Sequence, residues 1–105
     1  MKIVAVTSCP SGVAHTYMAA EALKKAAAAK GHDIKVETQG SIGIENEISA
    51  EDVKNADVVI LTKDVALINV ERFDGKPTVK VAISDVVKKS EKILTQIEDA
   101  LAKKN

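Results

Sequence analysis

Four short runs of β-branched and other apolar residues alternate with segments of helix-forming residues along this 105-residue chain. The runs are residues 3–7, 33–38, 57–61 and 78–83. The first run is almost continuously apolar, which is typical of a strand covered on both faces in a parallel sheet. Parallel strands joined through helices use right-handed crossovers. The pattern therefore predicts an α/β fold, a three-layer doubly wound domain that comprises residues 1–105.

Three helices are expected between and after these strands. The first runs from residue 11 or 12 to about Lys30, ends at Gly31, and turns five residues toward the core: Val13, Tyr17, Ala20, Leu23 and Ala27. A short second helix begins at a Ser49 cap with Asp52 three residues later. Ser84 or Asp85 is expected to cap the last helix, whose apolar stripe is Val86, Ile93, Leu94, Ile97 and Leu101. Residues 39–43 are expected to be irregular.

The composition excludes several classes of function. Fifteen basic residues balance fifteen acidic ones and only two residues are aromatic, so we expect no nucleic-acid partner. No apolar run approaches the roughly 20 residues that span a bilayer, and we expect a cytoplasmic protein. The single cysteine excludes an internal disulfide and a zinc site of several cysteines. We expect no metal and no cofactor.

The segment after the first strand is the place to look for chemistry, because doubly wound sheets bind ligands beyond the carboxyl ends of their strands. Cys9 lies there, just before the first helix. The first amides of a helix have no partners within it, and its dipole adds about half a positive charge. That field stabilises a thiolate, and the amides can cradle a tetrahedral dianion. We therefore predict that Cys9 carries a phosphoryl group as phosphocysteine.

The seven residues after Cys9 are expected to form the phosphate-binding loop: Pro10, Ser11, Gly12, Val13, Ala14, His15 and Thr16. Gly12 lets the backbone approach the anion and Pro10 stiffens the loop. His15 and Thr16 can point polar atoms at the anion from the first helical turns. Other interpretations stay open: an inert buried Cys9, a surface His15, a Thr16 bonded only within its helix, and Ser8 or Ser11 as simple caps. His32 is expected to be solvated.

Four segments of the chain carry a family likeness: CPSGVAHT at residues 9–16, VETQGSIGIEN at 36–46, ADVVI at 56–60 and ERFDGK at 71–76. They resemble the fructose-type enzyme IIB domains of the bacterial phosphoenolpyruvate-dependent sugar phosphotransferase system. Ser11 and Val13 stand where Thr and Ile are common in that family. The resemblance implies a parallel four-stranded sheet flanked by helices, for which we expect the strand order 2-1-3-4.

The resemblance also implies an activity and two partners. Such domains accept a phosphoryl group from a phosphohistidine of a cognate enzyme IIA and hold it on the loop cysteine, here Cys9. They pass it to a sugar, with fructose as the family default, that is bound in a membrane enzyme IIC. Contact with the membrane is then expected only through enzyme IIC. Both partners must reach the same face, which we expect residues 39–46 to border as docking or loop support, with Asp64 nearby.

The Cys9 loop is also similar to the Cys-x5-Arg-Ser/Thr loop of low-molecular-weight tyrosine phosphatases. His15 stands in the place of the phosphatase arginine, and Thr16 in that of the Ser/Thr. Because arginine clamps phosphate through two hydrogen bonds, its absence suggests a phosphocysteine that resists hydrolysis. A cysteine-dependent phosphatase, a non-catalytic phosphate-binding module and a thiol sensor remain the alternative functions.

Overall fold

A five-stranded sheet forms the middle layer of the protein. The computed structural model describes residues 1–9, 13–40 and 43–103, without the side chains of Val13 and Lys103. The strands are β1 (Lys2–Thr7), β2 (Asp33–Gly40), β3 (Gly43–Glu45), β4 (Val58–Thr62) and β5 (Thr78–Val81). Their order across the sheet is β3-β2-β1-β4-β5. All neighbours pair in parallel except β3, which is antiparallel to β2.

Helices cover both faces of the sheet. They are α1 (Val13–Ala29), α2 (Ala50–Asn55), a 3₁₀ helix (Val70–Phe73) and α3 (Ile83–Lys103). Helices α1 and α3 pack on one face, over a core that includes Ile3, Ala5 and Leu94. Helix α2 and the 3₁₀ helix cover the other face, where Val53 and Phe73 pack against Val4, Val6 and Val59. Successive side chains of β1 therefore alternate between two apolar layers.

The sheet differs from the predicted one by its edge strand. The four parallel strands follow the predicted order, but the sheet has five strands and is mixed, so the expectation of an all-parallel four-stranded sheet is wrong. Residues 39, 40 and 43, predicted to be irregular, belong to the β2–β3 hairpin, in which Gly40 pairs with Gly43. An edge strand of three residues needs only backbone pairing, and so it leaves no hydrophobic pattern in the sequence.

The first helix confirms its predicted end and most of its predicted core face, with one exception. Gly31 has a φ of +76°, and the His32 N–H donates to the Ala27 carbonyl at 2.9 Å, as at a helix end closed by glycine. Three of the predicted core residues are buried: Ala20, Leu23 and Ala27. Tyr17 is not, because 38% of its surface is exposed. The predicted start at residue 11 or 12 lies outside the described residues.

The other two helices differ in how they begin. Ser49 and Asp52 form the predicted capping box of α2. Helix α3 instead begins at Ile83, whose N–H donates to Asp64 Oδ1 at 2.6 Å, so the predicted cap at Ser84 or Asp85 is wrong. The acceptor comes from a segment 19 residues earlier, which no local signal indicates. The predicted apolar stripe of α3 is buried, with Leu101 partly so.

His32 is not solvated as predicted. Its side chain is 13% exposed, and its Nε2 contacts the Glu98 carboxylate of α3, which also accepts from Lys30 Nζ at 3.3 Å. The hydrogen bond from His32 is the largest influence on the pKa of Glu98 and, with weaker help from Lys30, holds that pKa below its ordinary value against the opposing effect of burial. This cluster lies beside Asp33, the first residue of β2, and therefore at the amino end of the sheet, away from Cys9.

Over the described ranges 1–9, 13–40 and 43–103, no helix combines the length and the apolar character that crossing a bilayer requires.

Candidate functional site

Cys9 lies at the middle of the sheet's carboxyl edge. It follows the central strand β1, which pairs with β2 on one side and β4 on the other. The chain leaves β1 through α1 toward β2, whereas β4 and β5 extend the sheet in the opposite direction. The two directions diverge at β1, and such switch points are where doubly wound sheets bind ligands.

The cysteine is partly buried and its histidine neighbour is exposed. The Cys9 side chain packs against the core beneath α1 and α3. Its Sγ lies 3.6 Å from Nδ1 of His15, which stands on the first turns of α1 and faces solvent. A sulfur at hydrogen-bond distance from an imidazole can exchange a proton with it. The pair therefore has the components of an accessible nucleophile with an adjacent base.

A layer of three buried threonines lies beneath this edge. Thr7 and Thr62 are the last residues of β1 and β4, and Thr38 pairs with Thr7 in the neighbouring strand β2; we call the three the threonine layer. Thr62 Oγ1 accepts from the Ser8 N–H at 3.1 Å and donates to the Ser8 carbonyl at 3.3 Å. Thr7 Oγ1 donates to the Thr16 carbonyl at 3.1 Å. Thr38 Oγ1 is buried with no hydrogen-bond partner among the described residues.

A charged network occupies the opposite face of β2. Glu37 is fully buried and accepts from Arg72 Nη2 at 2.7 Å, Gln39 Nε2 at 2.8 Å and the Ile48 N–H at 2.9 Å. Gln39 also bonds both backbone groups of Ile68, at 2.9 and 3.0 Å. Gln39, predicted to serve docking or loop support, therefore attaches the segment before the 3₁₀ helix to the sheet.

Glu37 remains ionised because its partners outweigh its burial. Burial raises the pKa of Glu37, but hydrogen bonds from Arg72, Gln39 and Ile48 together hold that pKa below its ordinary value. Arg72 is the one arginine of the chain, and it also stacks on Phe73 with its guanidinium 4.7 Å from the ring centre. The arginine is thus bound to Glu37 rather than to the Cys9 loop.

The β2–β3 hairpin contacts α1 next to His15. The Tyr17 hydroxyl donates to the Glu45 carboxylate of β3, and this bond, more than burial, raises the pKa of Tyr17. Met18 follows with half of its surface exposed. Tyr17, Met18 and Glu45 thus form an exposed polar and apolar rim where the hairpin meets α1. Asp64, expected to border the same edge, follows the end of β4, caps α3 and lies on a surface cavity of about 390 Å³ beside Lys63 and Lys80.

The described part of the predicted loop lies where the sequence indicated. Ala14 and His15 are exposed on the first turns of α1, whereas Thr16 is buried. Pro10, Ser11 and Gly12 lie outside the described residues, as does the side chain of Val13. Within ranges 1–9, 13–40 and 43–103, no group of three or more histidine, cysteine and carboxylate side chains could hold a metal ion.

Sequence patterns did not single out Thr7, Thr62 or Arg72. A polar residue that closes an apolar strand was a signal for the two threonines, since each stands at the carboxyl end where function is expected. Arg72 carried no comparable signal, because its partner Glu37 is 35 residues away in the chain.

The fold and the site together define a class: α/β proteins with a cysteine at the strand-to-helix turn of a switch point. Residues 4–96 match the family described as "PTS system, Lactose/Cellobiose specific IIB subunit". The PTS system fructose-like EIIB component 2 of Escherichia coli (strain K12) is 65% identical over 101 residues, which cover 96% of this chain and 95% of the relative.

Solved structures of phosphotransferase-system proteins also superpose on this chain. A domain of the fructose-specific IIABC component of Borrelia burgdorferi superposes with a TM-score of 0.85 at 49% identity, over 90% of each chain. An enzyme IIB subunit of the PTS system from Escherichia coli K12 superposes with a TM-score of 0.91 at 37% identity, over 98% of this chain and 95% of that one. The chain belongs to the enzyme IIB family of the phosphotransferase system, and to its fructose type.

Proposed function

We propose that this protein accepts a phosphoryl group on Cys9 Sγ from a phosphohistidine of a cognate enzyme IIA. It then passes the group to a sugar bound in a membrane enzyme IIC, as the sugar enters the cell. Membership of the enzyme IIB family supports the phosphotransfer role in sugar uptake. The observation that carries the assignment to Cys9 is the 3.6 Å contact of its sulfur with the exposed His15 at the switch point.

The two transfers are displacements at phosphorus. In the first, the S–P bond forms and the N–P bond of the donor breaks, and the Cys9–His15 pair gives one proton to the departing imidazole. In the second, a sugar oxygen forms the O–P bond, the S–P bond breaks with its electrons on sulfur, and the pair regains the proton of the hydroxyl. Both transfers need in-line access. The exposed side of His15 supports such access.

The intermediate is expected to persist between the two transfers. A phosphatase uses an arginine to stabilise the charge that develops on the phosphoryl group. The one arginine of this chain is bound to Glu37, and its Nη1 also donates to the Ile48 carbonyl at 2.9 Å. Its engagement there favours a carrier over a cysteine-dependent phosphatase.

Mass spectrometry of the intact protein tests the proposal. With phosphoenolpyruvate, the general transferases and a matching enzyme IIA, the wild type is expected to gain about 80 Da, the mass of one phosphoryl group. Cys9→Ser is expected to gain nothing while its circular dichroism stays that of the wild type. A phosphorylated Cys9→Ser protein, or a wild type that gains no mass with a competent donor, contradicts the assignment.

We propose a fructose-like sugar as the acceptor. The relative that is 65% identical is named fructose-like, whereas the matching family is described by lactose and cellobiose. Membrane vesicles that contain the matching enzyme IIC, with labelled phosphocysteine protein, are expected to phosphorylate fructose in preference to lactose and cellobiose. Equal or greater transfer to either disaccharide contradicts the fructose assignment and leaves the role of Cys9 intact.

A further inference from the structure

We propose that Thr62 and Thr7 are positioning residues of phosphoryl transfer, which hold the two ends of the Cys9 loop so that sulfur and His15 stay aligned. This proposal rests on the proposed function. Each threonine acts on the reacting atoms through backbone: Thr62 through that of Ser8 and Thr7 through that of Thr16.

Thr62 holds the residue directly before the nucleophile. Its hydroxyl accepts from the Ser8 N–H and donates to the Ser8 carbonyl, so one side chain occupies both backbone groups of a single residue. All three groups are buried, and competition from water is therefore weak. Cys9 is one peptide bond further on, which leaves the position of its Cα little freedom relative to β4.

Thr7 holds the other end of the loop. Its hydroxyl donates to the carbonyl of Thr16, the residue after His15, and so joins the end of β1 to the start of α1. Cys9 and His15 therefore lie between two anchored residues, Ser8 and Thr16. The 3.6 Å contact between Sγ and Nδ1 depends on the separation of those anchors.

The third member of the threonine layer differs from the other two in its hydrogen bonding. Thr38 is also buried, 5% exposed against 1% for Thr7 and 2% for Thr62, yet its hydroxyl has no partner among the described residues. The layer thus packs with a threonine whose hydroxyl contributes nothing to it. The hydroxyls of Thr7 and Thr62 bond to the backbone of Thr16 and Ser8, whereas the hydroxyl of Thr38 bonds to neither. We therefore assign alignment of the Cys9 loop to Thr7 and Thr62 and not to Thr38.

Substitution by valine tests this proposal, because valine keeps the branched shape and removes the hydroxyl. Thr62→Val and Thr7→Val are each expected to slow phosphorylation at saturating enzyme IIA about tenfold or more, since small misplacements of reacting groups are costly. The KM for the donor is expected to be unchanged. Thr62→Ser and Thr7→Ser, which keep the hydroxyl, are expected to recover most of the rate.

Thr38→Val is the matched control, because it makes the same change in the same layer at a hydroxyl that holds no loop residue. Its phosphorylation rate is expected to equal that of the wild type. Wild-type rates in both Thr62→Val and Thr7→Val overturn the proposal, as do serine variants that are as slow as the valine variants. Should Thr62→Val not fold, Thr7→Val and its serine partner give the same comparison at the other end of the loop.

Alkylation of Cys9, the single thiol of the chain, separates this proposal from the proposed function. If the wild type accepts no phosphoryl group, the proposed function fails, and the rate of reaction with iodoacetamide still reports loop geometry. Thr62→Val is then expected to change that rate while Thr38→Val does not. Identical alkylation rates in the wild type and in all three valine variants overturn the positioning role.

Discussion

The two faces of β2 differ in how they use polar side chains at the carboxyl end of the sheet. Toward α1, Thr38 stands beside Thr7 in a layer of neutral hydroxyls, two of which hold the ends of the Cys9 loop. Toward the 3₁₀ helix, Glu37 and Gln39 join Arg72 in a charged network. The α1 face thus positions a reactive loop, and the other face attaches the segment before the 3₁₀ helix.

Neighbouring residues of one strand can have different structural roles. Residues of a strand alternate between faces, so Glu37 and Thr38 meet unrelated partners. The neutral hydroxyls of the threonine layer place no negative charge against the phosphoryl group proposed for Cys9, whereas the carboxylate of Glu37 lies on the far side and is paired with Arg72. Substitutions on the two faces are therefore expected to have separable effects.

The largest effect is expected on the charged face. Glu37→Gln is expected to lower the free energy of unfolding by about 3 kcal/mol, because it leaves the guanidinium of Arg72 largely buried without its counter-ion. Urea denaturation measures this change. The double variant Glu37→Gln/Arg72→Met is expected to recover part of the lost stability. A Glu37→Gln variant that is as stable as the wild type would show that the ion pair does not stabilise the fold.

An effect of opposite sign is expected on the α1 face. Thr38→Val removes a buried hydroxyl that has no partner among the described residues, and is expected to raise the free energy of unfolding by about 1 kcal/mol. Thr38→Ser keeps the hydroxyl, loses a methyl group and is expected to be less stable than the wild type. Urea denaturation of the three proteins is the measurement. Destabilisation by valine would mean that the hydroxyl is satisfied.

Acid is expected to affect the charged face through Asp52. Its hydrogen bonds with Lys35 and then Ser49 lower its pKa from 3.8 to about 2. Because the pKa is lower in the folded state, this contribution to stability is complete above pH 3.8 and disappears as the pH falls toward about 2. The stability difference between wild type and Asp52→Asn should shrink over that interval, as followed by urea denaturation.

The exposed Asp99→Asn variant of α3 is the control for the acid experiment, and its difference from the wild type should vary less with pH over the same interval. A wild-type advantage over Asp52→Asn that is constant down to pH 2 would contradict the role of the ion pair with Lys35.

The smallest effect is expected at the rim on the α1 face. Tyr17 is the single tyrosine of a chain without tryptophan, so near-ultraviolet absorbance reports its ionisation alone. The bond to Glu45 raises its pKa above 10.0, and Glu45→Gln should bring the titration midpoint down toward that value. Glu47→Gln, at an exposed carboxylate close in sequence, is the control. Equal midpoints in the wild type and Glu45→Gln would exclude the contact in solution.

Much of the fold and the position of Cys9 at the end of the central strand could be predicted from the sequence. The apolar run of β1, the capping box at Ser49 and the C-terminal Gly31 depend on neighbours within a few residues, and all three were predicted correctly. Cys9 could be singled out because the end of a central parallel strand is a place that topology favours for ligands. Its role as the phosphoryl carrier remains a prediction, supported by membership of the enzyme IIB family.

The partners of Glu37, Tyr17 and Asp64 could not be predicted in the same way. Glu37 and Tyr17 meet Arg72 and Glu45, residues 35 and 28 positions away. Asp64 caps a helix that begins 19 positions later. The local pattern was compatible with a solvated side chain for Glu37, with a core-facing aromatic for Tyr17 and with a docking residue for Asp64.

The sequence by itself determined the alternation of strands and helices, the parallel direction of four strands and the place of the cysteine, because these follow from hydrophobic period, caps and crossover handedness; their order in the sheet was expected from the family resemblance. The tertiary structure decided the added edge strand, the charged network and the threonines that hold the Cys9 loop. These depend on contacts between residues distant in the chain, whose energies exist only once the layers have packed.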